Sequence, residues 1–161
     1  MSMCLQLIAI SHQDIEKLTE GETIEELLDE HFEARSDYAF DLDKNWDGVD
    51  FLLHQADQSS LPRNWLTETG EKIGDDLGYG PARIWSSEAV TLIAEKTEIC
   101  EAKSLNATFN FKLFEEADVY PNIWHQQDSK DKEILLSACS HLQKMLRATA
   151  NRGDALLVAL V

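Results

Sequence analysis

The segment Asp43-Lys44-Asn45-Trp46-Asp47-Gly48 comes nearest to a known chemistry. Acids or amides at the first, third and fifth places, with glycine at the sixth, open a calcium-binding loop. The twelfth place of such a loop needs a bidentate glutamate, and here it is His54. The eighth place is Asp50 rather than an aliphatic residue, and no long helix leads in. The segment therefore reads as a helix entry and not as an ion site. Asp50 and His54 stand four apart, one helical turn, but two ligands do not make a metal site. They read as a solvent-facing pair.

Other motifs fall away on inspection. Ser86-Ser87 follows Trp85 and lacks the glycine spacing of a nucleophile elbow. Gly74 to Gly80 has no Gly-Lys-Ser/Thr ending, and Asp75 and Asp76 would repel phosphate. Cys4, Cys100 and Cys139 are odd in number, far apart and in no CxxC pair. They read as reduced structural thiols of a cytoplasmic protein. His12 and His31 read as surface histidines rather than metal ligands. No catalytic residue, metal site or cofactor is assigned. What remains is a set of aromatic and charged groups: Asp43, Lys44, Tyr79, Arg83, Tyr120 and Trp124. Tyrosine, tryptophan and arginine are usual anchors of clefts and interfaces. Tyr79, Tyr120 and Trp124 sit beside Gly or Pro turns, as a cleft rim would, whereas Trp46 and Trp85 read as core. Arg83 lies inside an apolar strand and needs a partner, because an unpaired buried charge is costly. A carboxylate from Asp41 to Asp50 is the expected partner.

The elements that would position these groups can be read in order. Met3 to Ile10 is an apolar strand. Ser11 caps a short helix that Gly21 stops, and Glu22 or Thr23 starts a second. Tyr38 to Leu42 reads as a brief strand or an extended link. A short helix follows with Trp46, Val49 and Leu53 inward. Residues 56–69 and 71–80 read as two loops. Gly78-Tyr79-Gly80-Pro81 is a turn, Ala82 to Trp85 a strand, and Ser86 or Ser87 caps the next helix. Short helices are expected over 102–106 and 107–113, then a proline turn at Val119 to Trp124. Residues 129–150 form the longest helix, capped by Ser129, with Leu135, Leu142 and Leu146 on its inner face. Gly153 ends it, and Ala155 to Val161 is a buried strand. The fold class is α+β. One small mixed sheet holds both terminal strands and is covered by several helices, in a single domain spanning 1–161.

The charge is the unusual feature of the composition. Thirty acids against 14 bases give a net −16. Residues 1–50 hold 14 of the acids and only three bases, Lys17, Arg35 and Lys44. Such a field repels nucleic acid and anionic lipid and attracts basic proteins. Met1 to Ser11 lacks basic residues and is too short for a signal peptide, and no run reaches the roughly 20 apolar residues of a membrane span. No nucleic acid and no membrane is therefore expected as a partner; a basic protein is. The oligomeric state stays open.

Several motifs together carry a family resemblance. They are Asp43-Lys44-x-Trp46-Asp47 with Phe51-Leu52-Leu53, then Gly78-Tyr79-Gly80-Pro81-Ala82-Arg83, then Val119-Tyr120-Pro121-x-Ile123-Trp124, then Ala150-Asn151-Arg152-Gly153. In this order they resemble the YfbM-like bacterial proteins of the DUF1877 group. The resemblance covers nearly the whole chain and implies a compact α+β cytoplasmic domain of unknown function, with no catalytic residue to carry over. It departs at Asp50, where similar proteins tend to have His, and at His54-Gln55, where they tend to have Thr-Gly. The expected function is a non-catalytic binding or interaction domain with an acidic docking face. The alternative is a small-molecule-binding or hydrolase-like enzyme using a cleft of Asp43, Lys44, Arg83 and Tyr120.

Overall fold

The computed structural model describes residues 2–56 and 59–161. Its centre is a pair of antiparallel strands, β1 (Leu5–Ile10) and β5 (Ala155–Leu160), so the two ends of the chain lie side by side. Apart from Gln6 both strands are apolar, because both of their faces are covered. Leu5, Leu7, Leu156 and Val158 face one cluster of buried side chains. Ile8, Ile10, Leu157 and Ala159 face a second.

The five strands run in the order β2-β1-β5-β4-β3, where β2 is Ala39–Asp43, β3 is Glu71–Asp76 and β4 is Pro81–Trp85. The class is α+β, as the sequence implies. Every pairing is antiparallel, rather than mixed. Strand β3 lies where a loop is expected. All of its residues but Ile73 are exposed, and it carries three acids and a lysine. Charge on an outer strand discourages pairing with other chains, and it also hides the strand from a hydrophobic pattern.

Helices α1 (His12–Glu20) and α2 (Ile24–Glu33) cover one face of the sheet. Both open on capping boxes. Ser11 and Asp14 exchange hydrogen bonds at the first, and Thr23 and Glu26 at the second. Each box satisfies two of the orphan N–H groups that a helix start leaves. Gly21, at φ +113°, ends α1 where an L-residue would be strained.

The opposite face carries α3 (Trp46–Gln55), α4 (Trp65–Glu68), α5 (Ser87–Glu98), α6 (Ala102–Thr108), α7 (Phe111–Glu116) and α8 (Ser129–Arg152). Residues 56–69, read as a loop, contain the single turn α4; Asp57 and Gln58 lie outside the described residues. Asp128, not Ser129, caps α8, its side chain accepting from Lys130 N–H. Ser86 caps α5. Among the described residues no helix is long and apolar enough to cross a membrane.

Helix α3 is buried on all sides from Trp46 to Leu53, not on one stripe only. Gly48 lies against Leu135 of α8. A Cβ there would stand 2.7 Å from Leu135 Cδ1 and 3.2 Å from Trp124 Cζ2. Gly48→Ala should therefore lower stability by about 1–2 kcal/mol: overpacking costs roughly 1–3, and the better helix propensity of alanine returns up to about 1. Urea denaturation of the variant against the parent measures this.

Candidate functional site

The densest polar constellation is built on α3. Asp47 and Asp50 lie one turn apart on a helix that is otherwise apolar, and their side chains are almost fully buried. Their cation is Arg63. Its Nη1 donates to Asp50 Oδ1 and its Nη2 to Asp47 Oδ1, each at 2.5 Å. Asp50 also accepts from Asn64 N–H at 2.8 Å and Leu66 N–H at 2.9 Å, so it anchors the start of α4. Asp47 Oδ2 accepts from Tyr120 N–H at 2.8 Å, which ties the 119–122 turn to the same helix. The Arg63 guanidinium also lies 5.5 Å from the Phe51 ring centre.

These contacts set the protonation balance. Burial pushes the Asp50 carboxyl above the usual aspartate range, against the Leu66 N–H, the Arg63 guanidinium and the Asn64 N–H, which favour its charge. Burial also opposes the charge of Arg63. The hydrogen bonds and charges of Asp47 and then Asp50 outweigh it and raise the guanidinium pKa. A carboxylate with three donors and no open side is a structural clasp. The Asp50 side chain is 1% exposed, so solvent does not reach it.

The six candidate cleft residues do not form one cleft. Asp43 ends β2 at φ +49° and accepts from Cys4 Sγ at 3.2 Å. Lys44 beside it is exposed. Tyr120 is close by, because its hydroxyl accepts from Met3 N–H at 3.1 Å and its ring stacks on Trp46 at 5.9 Å. Trp46 Nε1 donates to Met3 C=O at 3.3 Å, so the two aromatics clamp both backbone groups of Met3. Trp124 is not at a rim. It is 2% exposed, donates to Val119 C=O at 2.7 Å and packs on Phe114. Tyr79 is exposed at the β3–β4 turn.

Arg83 does not pair with the Asp41–Asp50 segment. Its Nη1 donates to Gly70 C=O at 2.9 Å. The reason is the strand order. Arg83 is on β4 and Asp43 on β2, with β5 and β1 between them. Three strand spacings are about 14 Å, beyond the reach of an arginine. Arg63 takes the role instead. One signal for it was present in the sequence: it is the only lysine or arginine between Lys44 and Lys72, and it follows a short helix that carries Asp47 and Asp50. His54 does not face Asp50 either; its Nδ1 lies 2.8 Å from Leu61 C=O. Gly48 is helical and Asp47 is bound to Arg63 and Tyr120, so Asp43 to Gly48 do not make an ion-binding loop. Among the described residues no three His, Cys, Asp or Glu side chains are grouped to hold a metal.

Comparison with known proteins follows the same outline. A domain of unknown function, DUF1877, matches residues 1–159. The chain belongs to the DUF1877 family. A solved structure of similar fold is YfbM from Escherichia coli, itself described as a protein of unknown function. It is 19% identical over 98% of this chain and 99% of that one, with a TM-score of 0.65. That likeness shows a shared fold and no activity. No match was found among curated proteins. Within this DUF1877 chain, the Asp47–Asp50–Arg63 clasp ties α3 to the start of α4 and to the 119–122 turn.

Removing one partner of a buried pair leaves an uncompensated charge. Arg63→Met should cost roughly 3 kcal/mol, at the low end of the range for buried pairs because Arg63 is partly exposed. Arg83→Met should cost no more than about 1 kcal/mol, the loss of one hydrogen bond. Parallel urea titrations decide between them; equal losses would mean the clasp is misassigned.

Proposed function

We propose that this protein is a non-catalytic interaction domain that presents an acidic face to a basic protein partner, in the reducing environment of the cytoplasm. The observation that carries the reading is the outer surface of α1 and α2. Their apolar residues turn down onto the sheet, while Glu16, Glu20, Glu25, Glu26, Asp29 and Glu33 are exposed. The one lysine in these helices, Lys17, is bound to Glu30 at 2.7 Å. Most of the negative charge on this surface therefore has no cation from its own helices. It acts over about 8 Å at physiological ionic strength, enough to steer a basic surface and repel nucleic acid. Free Cys4, Cys100 and Cys139 accord with a reducing compartment. Burial raises the Cys139 thiol to about 12, which makes it inert. The hydrolase-like alternative would need Arg83 beside Asp43, Lys44 and Tyr120, and Arg83 stands across the sheet from Asp43.

The test is an affinity capture from host lysate at low salt, using the parent protein and a variant carrying Glu20→Lys, Glu25→Lys, Asp29→Lys and Glu33→Lys. The expected result is a discrete basic protein held by the parent, released at moderate salt and not held by the variant. A partner held equally by both would remove the acidic face from the function. A nonspecific spread of basic proteins would mean that the charge serves solubility.

A further inference from the structure

Strand β2 and helix α8 enclose a groove of about 400 Å³ at one edge of the sheet. Its floor is apolar: Phe40 from β2, and Ile134 and Ala138 one turn apart on α8. Ile134 is 52% exposed, and His141 one turn further meets Phe40 edge-on at 6.4 Å. Its walls carry three carboxylates, Asp41, Asp43 and Glu133, and neither lysine nor arginine lines it. Asp41 Oδ1 accepts from Asp43 N–H at 2.7 Å, and Asp43 Oδ1 from Cys4 Sγ. Among the described residues the second oxygen of each, and both oxygens of Glu133, have no hydrogen-bond partner.

Part of the outer backbone of β2 is already engaged. Ala39 N–H donates to Ser36 C=O at 3.1 Å, Leu42 C=O accepts from Asn45 N–H at 3.0 Å, and Asp43 N–H is held by Asp41. An occupant is therefore recognised through side chains more than through strand addition. An apolar floor ringed by carboxylates suits a side chain that is aliphatic along its stem and cationic at its tip.

We propose that the groove takes an arginine- or lysine-bearing segment of a protein partner. The aliphatic stem lies over Phe40, Ile134 and Ala138, and the cation lies among Asp41, Asp43 and Glu133. The inference rests on the reading of the protein as an acidic docking domain and names the place where that docking becomes specific. The α1–α2 surface attracts; the groove selects.

The test uses a fluorescein-labelled, amidated peptide with two arginines flanking a leucine, and the full-length protein. Fluorescence anisotropy gives the affinity, and amide chemical shifts give the location. The expected shifts centre on residues 40–45 and 133–141. Glu133→Lys and Ile134→Ser, both at exposed positions, should each weaken binding, the charge reversal by roughly tenfold or more and the loss of apolar floor by roughly threefold or more. Glu115→Lys on α7, outside the groove, should leave affinity within about twofold. A glutamine-for-arginine peptide that binds equally well would overturn the proposal. So would loss of binding in the α1–α2 charge-reversal variant with Glu133→Lys without effect; the acidic-face reading would then stand while the groove fell. No peptide binding at all, with a basic protein still captured from lysate, also overturns the groove alone. No peptide and no captured partner overturns both.

Discussion

A carboxylate 1% exposed, on a helix buried on all sides, must be satisfied or the helix cannot stay where it is. Asp50 meets that demand with Arg63 and the N–H groups of Asn64 and Leu66. Asp47, one turn earlier, shares the same guanidinium and holds Tyr120 N–H. Through these bonds three separated stretches of chain, 46–55, 63–66 and 119–122, are held in one arrangement. Tyr120 then reaches Met3, and Trp46 closes on it from the other side, so the same network ties down the start of the chain beside β1. The aromatic packing of Phe51, Phe109, Phe114 and Trp124 surrounds this cluster.

The sheet divides the molecule into two unlike halves. On the side of α3 to α8 the chain is thick, aromatic and internally paired. On the side of α1 and α2 it is a thin layer with apolar residues inward and acids outward. The functional reading follows from this asymmetry. Several of the groups that look most chemical in the sequence are engaged in structure, while the thin layer and the β2–α8 edge both carry exposed carboxylates. Acidic groups without cations cost self-repulsion, which a basic partner relieves.

Local signals in the chain were legible where the physics is local. The strands at both ends, the cap at Ser11, the helix starts near Thr23 and Ser86, the glycine stops at Gly21 and Gly153 and the long helix from 129 follow from apolar period, hydroxyl caps and left-handed glycines. Strand β3 was not legible, because an exposed edge strand is selected for charge and not for hydrophobicity. The need for a cation near the helical acids was visible as a principle. Its assignment to Arg83 failed because sequence does not show that two strands would separate β4 from β2.

By itself, the sequence determined the α+β class, the family, the acid excess and the fact that both ends enter the sheet. The class, the acid excess and the terminal strands depend on composition or on short local patterns, and the family on the order of short motifs along the chain. Only the tertiary structure decided which arginine meets Asp47 and Asp50, that Trp124 is core and not rim, and that Phe40 and Ile134 share a groove walled by acids. Those outcomes depend on strand order and helix packing, which bring together residues up to about a hundred positions apart and which no local pattern records.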